Sequence, residues 1–133
     1  MTSPKSIPPY PLAWPDNQPR AARRENSRFD TTRARAIANV ERSLRLFAEQ
    51  SGKRISGVQI TSNVAGLSPG QPDDTGVAVW FEWDGKPLCI AVDRYRKVEN
   101  NLQAIHHVLE ARRTELRHAG IEMTRTAFRG FTA

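Results

Sequence analysis

Four acids have the right chemistry to share a divalent cation: Asp73 and Asp74 in a Gly/Pro-rich stretch, Asp93 after an apolar alternation, and Glu99 shortly beyond it. Carboxylates gathered around magnesium beside a phosphodiester would make a nuclease. Each acid lies on a different segment, so sequence alone leaves their convergence open. His106 and Glu110 stand four residues apart, on one helical face, with His107 adjoining. Two such ligands suit zinc, but the HExxH arrangement and any cysteine pair are missing, and surface or boundary histidines are the better reading. Cys89 is the only cysteine. It excludes an internal disulfide, fits a reducing compartment, and reads as a small sheet residue rather than a nucleophile. Ser and His residues follow neither a triad order nor a nucleophile elbow. No catalytic residue, metal ligand or cofactor is therefore assigned.

Binding of nucleic acid without catalysis is the chemistry that the charge favours. Over 133 residues, 20 Lys+Arg against 14 Asp+Glu give a net charge of +6 and a pI near 10.2. That balance suits polyanionic partners. Residues 1–35 alone carry seven basic and three acidic side chains, so the front is the basic end. Arg20, Arg23, Arg24, Arg94, Arg96 and Lys97 are the expected phosphate contacts, and Trp80 or Tyr95 the ring on which a base would stack. Gly57, Gly66 and Gly70 do not have the spacing of a phosphate loop. A protein partner stays open. With no apolar run long enough to cross a bilayer and no signal-peptide pattern, the expectation is a cytoplasmic protein without a membrane partner.

These residues need elements to position them. Val77, Val79, Phe81 and Trp83 alternate with Ala78, Trp80 and Glu82, the period of a strand with one face in a core. Asp84-Gly85 suits a two-residue hairpin, after which Leu88, Ile90 and Val92 resume the alternation. Ile55, Val58 and Ile60 mark an earlier strand within 54–62, with Gly57 a candidate bulge. Ile37, Val40, Leu44 and Phe47 form the stripe of a first helix that begins near Thr31 or Thr32 (Asp30 being another candidate cap) and ends at Gly52. Val98, Leu102, Ile105, Leu109 and Leu116 form that of a second, which closes before Gly120, with a short third helix over 121–128. Residues 63–75 read as a long hairpin loop.

The order α-β-β-β-α-α predicts an α+β two-layer sandwich: a three-stranded antiparallel sheet with both long helices on one face, as one domain over 30–133. Before it, residues 1–29 form an extended basic arm, because Pro4, Pro8, Pro9, Pro11, Pro15 and Pro19 prevent helix and remove sheet donors. Ile7, Tyr10, Leu12 and Trp14 suit the arm either to docking on its own domain, where it would cover Trp80, or to binding a partner.

Two resemblances bear on function. Pro-Leu-Ala-Trp-Pro over 11–15, and Val98-Glu99-Asn100-Asn101-Leu102 opening a helix, faintly resemble RusA-type Holliday-junction resolvases. That likeness implies a metal-dependent nuclease, but Val98 and Asn100 stand where the family has its two metal-binding aspartates. More of the chain resembles the leading module of bacterial and phage J-domain-containing proteins. The matching blocks are Tyr10 to Pro15, Thr61 to Val64, Pro72 to Val79, Asp93 to Ile105 and Ala127 to Ala133. That likeness implies an accessory protein of a phage or mobile element, in a bacterial cytoplasm. No His-Pro-Asp occurs, so co-chaperone activity is not carried over, although an adaptor that delivers clients through such a domain is an alternative. The reading is a non-enzymatic binding module for nucleic acid or a replication or recombination partner.

Overall fold

In the computed structural model, which describes residues 7–66 and 70–131, the elements follow the order the periodicities predict. Helix α1 spans Arg33–Ser51, strand β1 Ile55–Ser62, β2 Val77–Trp83, β3 Lys86–Val92, α2 Val98–Ala119 and α3 Ile121–Ala127, with a final 3-10 turn at Phe128–Phe131. The strands form one antiparallel sheet in the order β1-β2-β3. Pro4, Pro69 and the closing Thr132-Ala133 lie outside the described residues.

Local chemistry explains each boundary. Thr32, in extended conformation, caps α1 by accepting from the Arg35 N–H, and Gly52 ends it at φ 68. Asp84 and Gly85, at φ 55 and 76, make the left-handed pair that a two-residue hairpin needs. The β1–β2 register shifts between Ser56 and Gln59, where Gly57 sits at φ 64, so the anticipated bulge is present.

Both long helices cover the inner sheet face. Val40, Leu44 and Phe47 of α1 and Val98, Leu102, Ile105 and Leu109 of α2 are buried against Val77, Val79, Phe81, Trp83, Leu88 and Ile90. Phe128 closes the open end, its ring 5.8 Å from Phe47 and 5.5 Å from Trp83. No helix among the described residues is long and apolar enough to cross a membrane. The outer sheet face has a different composition. Its centre holds Ala78, Cys89 and Ala91, small side chains that leave a shallow trough. Burial there pushes the Cys89 thiol up to about 12, so it stays protonated and inert at neutral pH.

Candidate functional site

The arm fills that trough. Leu12 and Trp14 pack on Ala78, Cys89, Ala91 and Trp80, and polar groups of the sheet fasten the arm's backbone. Leu12 N–H donates to Asn63 Oδ1 and Ala13 N–H to Thr61 Oγ1, both at 3.1 Å. Trp80 Nε1 donates to the Ala13 carbonyl at 2.9 Å, and Gln18 Nε2 to that of Ala91 at 2.9 Å. Of the two expectations for Trp80, a ring open to a base or one covered by the arm, the second fits: its N–H is taken by the Ala13 carbonyl, and its ring, half-buried, packs with Leu12 and Trp14 on the same small residues.

Past the trough, arginines pin the arm to the domain. Arg20 Nε lies 2.8 Å from Asp93 Oδ2 and its Nη2 2.5 Å from Asp74 Oδ1, while Arg24 Nη2 reaches Asp74 Oδ1 at 2.7 Å. Asp93 also accepts from the Ala21 N–H at 2.9 Å, so this acid anchors the arm by both a side chain and a backbone group. The Arg20 guanidinium lies over the Trp14 ring at 4.5 Å. The junction is tight at Gly76: a Cβ there would come within 3.1 Å of Arg20 Nη2 and Leu12 Cδ2, so those side chains would have to shift by a few tenths of an ångström.

Burial pushes the Asp74 carboxyl up, but hydrogen bonds from Arg20 and the Gly76 N–H, with the charges of Arg20 and Arg24, hold it below the usual carboxylate range. Of the four acids, only Asp74 and Asp93 meet, with guanidinium groups between them. Asp73 is exposed, and Glu99 accepts from Gln71 Nε2 at 2.9 Å beside Arg33 at 3.6 Å. Among the described residues, no three His, Cys, Asp or Glu side chains come together as a metal site.

The remaining expected cations meet at one corner. Residues around Glu25 run parallel to those around Tyr95: Glu25 N–H donates to the Arg94 carbonyl at 2.9 Å and Arg96 N–H to that of Glu25 at 3.1 Å. Arg23, Arg28, Arg96 and Lys97 are exposed and carry no ion pair among the described residues. Arg94 pairs with Glu25 at 3.3 Å, but both side chains are about 60% exposed (63% and 60%), so water screens the pair. Rings adjoin these charges. Phe29 packs edge-on to Tyr95, 5.7 Å between centroids, and stacks on His107 at 5.1 Å, while Arg94 lies 5.4 Å from the Tyr95 ring.

A buried amide holds the corner in place. Asn101, fully buried, donates from Nδ2 to the Thr75 carbonyl at 2.8 Å and the Tyr95 carbonyl at 3.0 Å, and accepts from the Tyr95 N–H at 2.9 Å. Thr75 Oγ1 donates to the same Tyr95 carbonyl at 2.6 Å. Neither Asn101, Phe29 nor His107 figures in the expected site. For Asn101 a signal existed: it lies three residues after Val98 and four before Ile105, an amide on an apolar stripe.

His106 and Glu110, the possible zinc pair, join the two long helices instead. Ser43 Oγ lies 2.6 Å from His106 Nδ1 and donates to Glu110 Oε2 at 2.9 Å, and Arg113 Nη1 holds that carboxylate at 2.6 and 2.7 Å. Burial lowers the His106 pKa from 6.5; Glu110 and the Asn39 backbone oppose this, and His107 and Arg42 reinforce it. The unfolded chain therefore binds a proton at this position at a higher pH than the folded one, and stability falls as pH drops from about 6.5 through the folded value. Urea midpoints measured from pH 8 to 5 should fall in this window, and His106→Gln should flatten that fall. A further loss follows in acid, as Asp74, Glu99 and Glu110, all held low, are protonated.

No family model, no curated protein and no solved structure matches this chain.

Proposed function

We propose that the protein is a non-enzymatic binding module that holds nucleic acid by its phosphates at the corner formed by Arg23, Arg28, Arg96 and Lys97. The observation that carries this reading is where the charges stand. Arg94, Arg96 and Lys97 immediately precede the first turn of a 22-residue helix, at the positive end of its dipole. Cations there oppose folding, and only Glu99 in the first turn offsets them. Lys97 occupies the N-cap itself, in extended conformation (φ −125°), and makes no capping hydrogen bond. A position where Asp or Ser would stabilise the helix instead holds a charge aimed at solvent, which makes sense for a residue that meets an anion.

The test is fluorescence anisotropy with a labelled oligonucleotide at low and rising salt. Affinity falls as salt rises, since phosphate contacts release counterions. Lys97→Asp weakens binding about tenfold while stabilising the fold by about 0.5–1 kcal/mol through a new cap, an opposed pair of effects that general unfolding would not produce. Glu25→Gln, which frees Arg94, tightens binding a few-fold. Absence of binding by the wild type at low salt ends this reading.

A further inference from the structure

Resting on the reading above, we infer that the strand bound at this corner is single, with a base stacked on the ring ladder of Tyr95, Phe29 and His107 beside the phosphate contacts. Three features point to one strand. The rings are continuous: Phe29 contacts both Tyr95 and His107, His106 lies tilted against His107 at 5.2 Å, and His107 is exposed on α2, so part of its ring can meet a flat partner. Bases in a duplex are already stacked on each other and cannot use such a surface, whereas an unpaired base can.

The cations are arranged to match. Arg23 and Arg28 come from the arm, Arg96 and Lys97 from the link before α2, and the two segments are zipped side by side through Glu25 and Tyr95. Exposed cations carried on two such paired segments suit a few phosphates of one backbone.

Reading a duplex instead calls for a helix or ribbon that enters the major groove with cations along its flanks. The exposed face of α2 beyond His107 presents Ala111, Thr114, Arg117, His118 and Ala119, with Arg117 its single fixed charge, so it lacks the phosphate anchors for that geometry. The sheet face offers no second platform, because Trp80 lies under the arm.

The experiment titrates the full chain with one mixed sequence, once as a labelled single strand and once as its duplex, by anisotropy at fixed low salt. The single strand binds at least about tenfold more tightly. His107→Ala, at an exposed position, and Tyr95→Leu each weaken the single-strand complex about five- to tenfold and change the duplex complex less than about twofold. Lys97→Asp weakens both. His107→Trp, which enlarges the ring, restores or improves single-strand affinity. Equal or tighter binding of the duplex, or equal loss on both forms in the ring variants, overturns the single-strand inference but leaves the phosphate-binding reading in place. Absence of binding to either form removes both.

Discussion

Phe47→Ala should lower the unfolding free energy by about 3–5 kcal/mol, enough to unfold much of a domain of ordinary stability. Phe47 is fully buried, and its ring joins three parts of the chain that are distant in sequence. It lies 5.0 Å from Trp83 at the end of β2 and 5.8 Å from Phe128 in the closing turn, and it is carried by α1. Truncation would open a cavity between two layers that cannot close without moving α1. Urea denaturation followed by tryptophan fluorescence reads the effect directly, because Trp83 is the neighbouring ring. Phe47→Leu, which keeps most of the volume, should cost well under half as much. Comparable losses in both variants would mean that the ring fills no tightly packed space.

Asn101→Ala should cost about 3 kcal/mol despite removing only a small polar group. The amide is the bond between the α2 start, the end of the 63–75 loop and the link that carries Tyr95. Deleting it leaves the Tyr95 N–H and the Thr75 carbonyl without this partner in a place from which water is excluded, since Thr75 is 2% exposed. Asn101→Asp separates shape from hydrogen bonding. It keeps size and the acceptor for the Tyr95 N–H but turns a carboxylate toward two carbonyl oxygens, so it should be as damaging as alanine at neutral pH. The loss should ease in acid, where a protonated carboxyl can donate again. If denaturation midpoints of Asn101→Ala match the wild type within error, the amide is not the link's anchor. Loss of this anchor should also weaken oligonucleotide binding more than the distance from Asn101 to solvent would suggest, because Tyr95 and its neighbours depend on it for position.

Local patterns in the chain already contain the layers of this protein. The two helical stripes, the alternation through β2 and β3 and the Asp84-Gly85 turn are signals within windows of a few residues, and each demands burial of one face. With three strands and two one-sided helices, little topology is left to choose. Gly57 and Gly52 are similarly legible, because a positive φ is needed where they stand.

The site depended on contacts that no local window contains. Arg20, Arg23 and Arg24 look equivalent in the sequence, yet the first and third meet Asp74 and Asp93 from 50 to 73 positions away, and only the second of the three makes no ion pair among the described residues. Trp80 has the same alternation whether its face is open or covered. What covers it is the fit of Leu12 and Trp14 to the small residues Ala78, Cys89 and Ala91, a match between distant segments. Residue type and period follow from the chain alone. Which charges are neutralised, and which ring remains free, follows from where the arm comes to rest, because ion pairing and cover are decided by proximity in space.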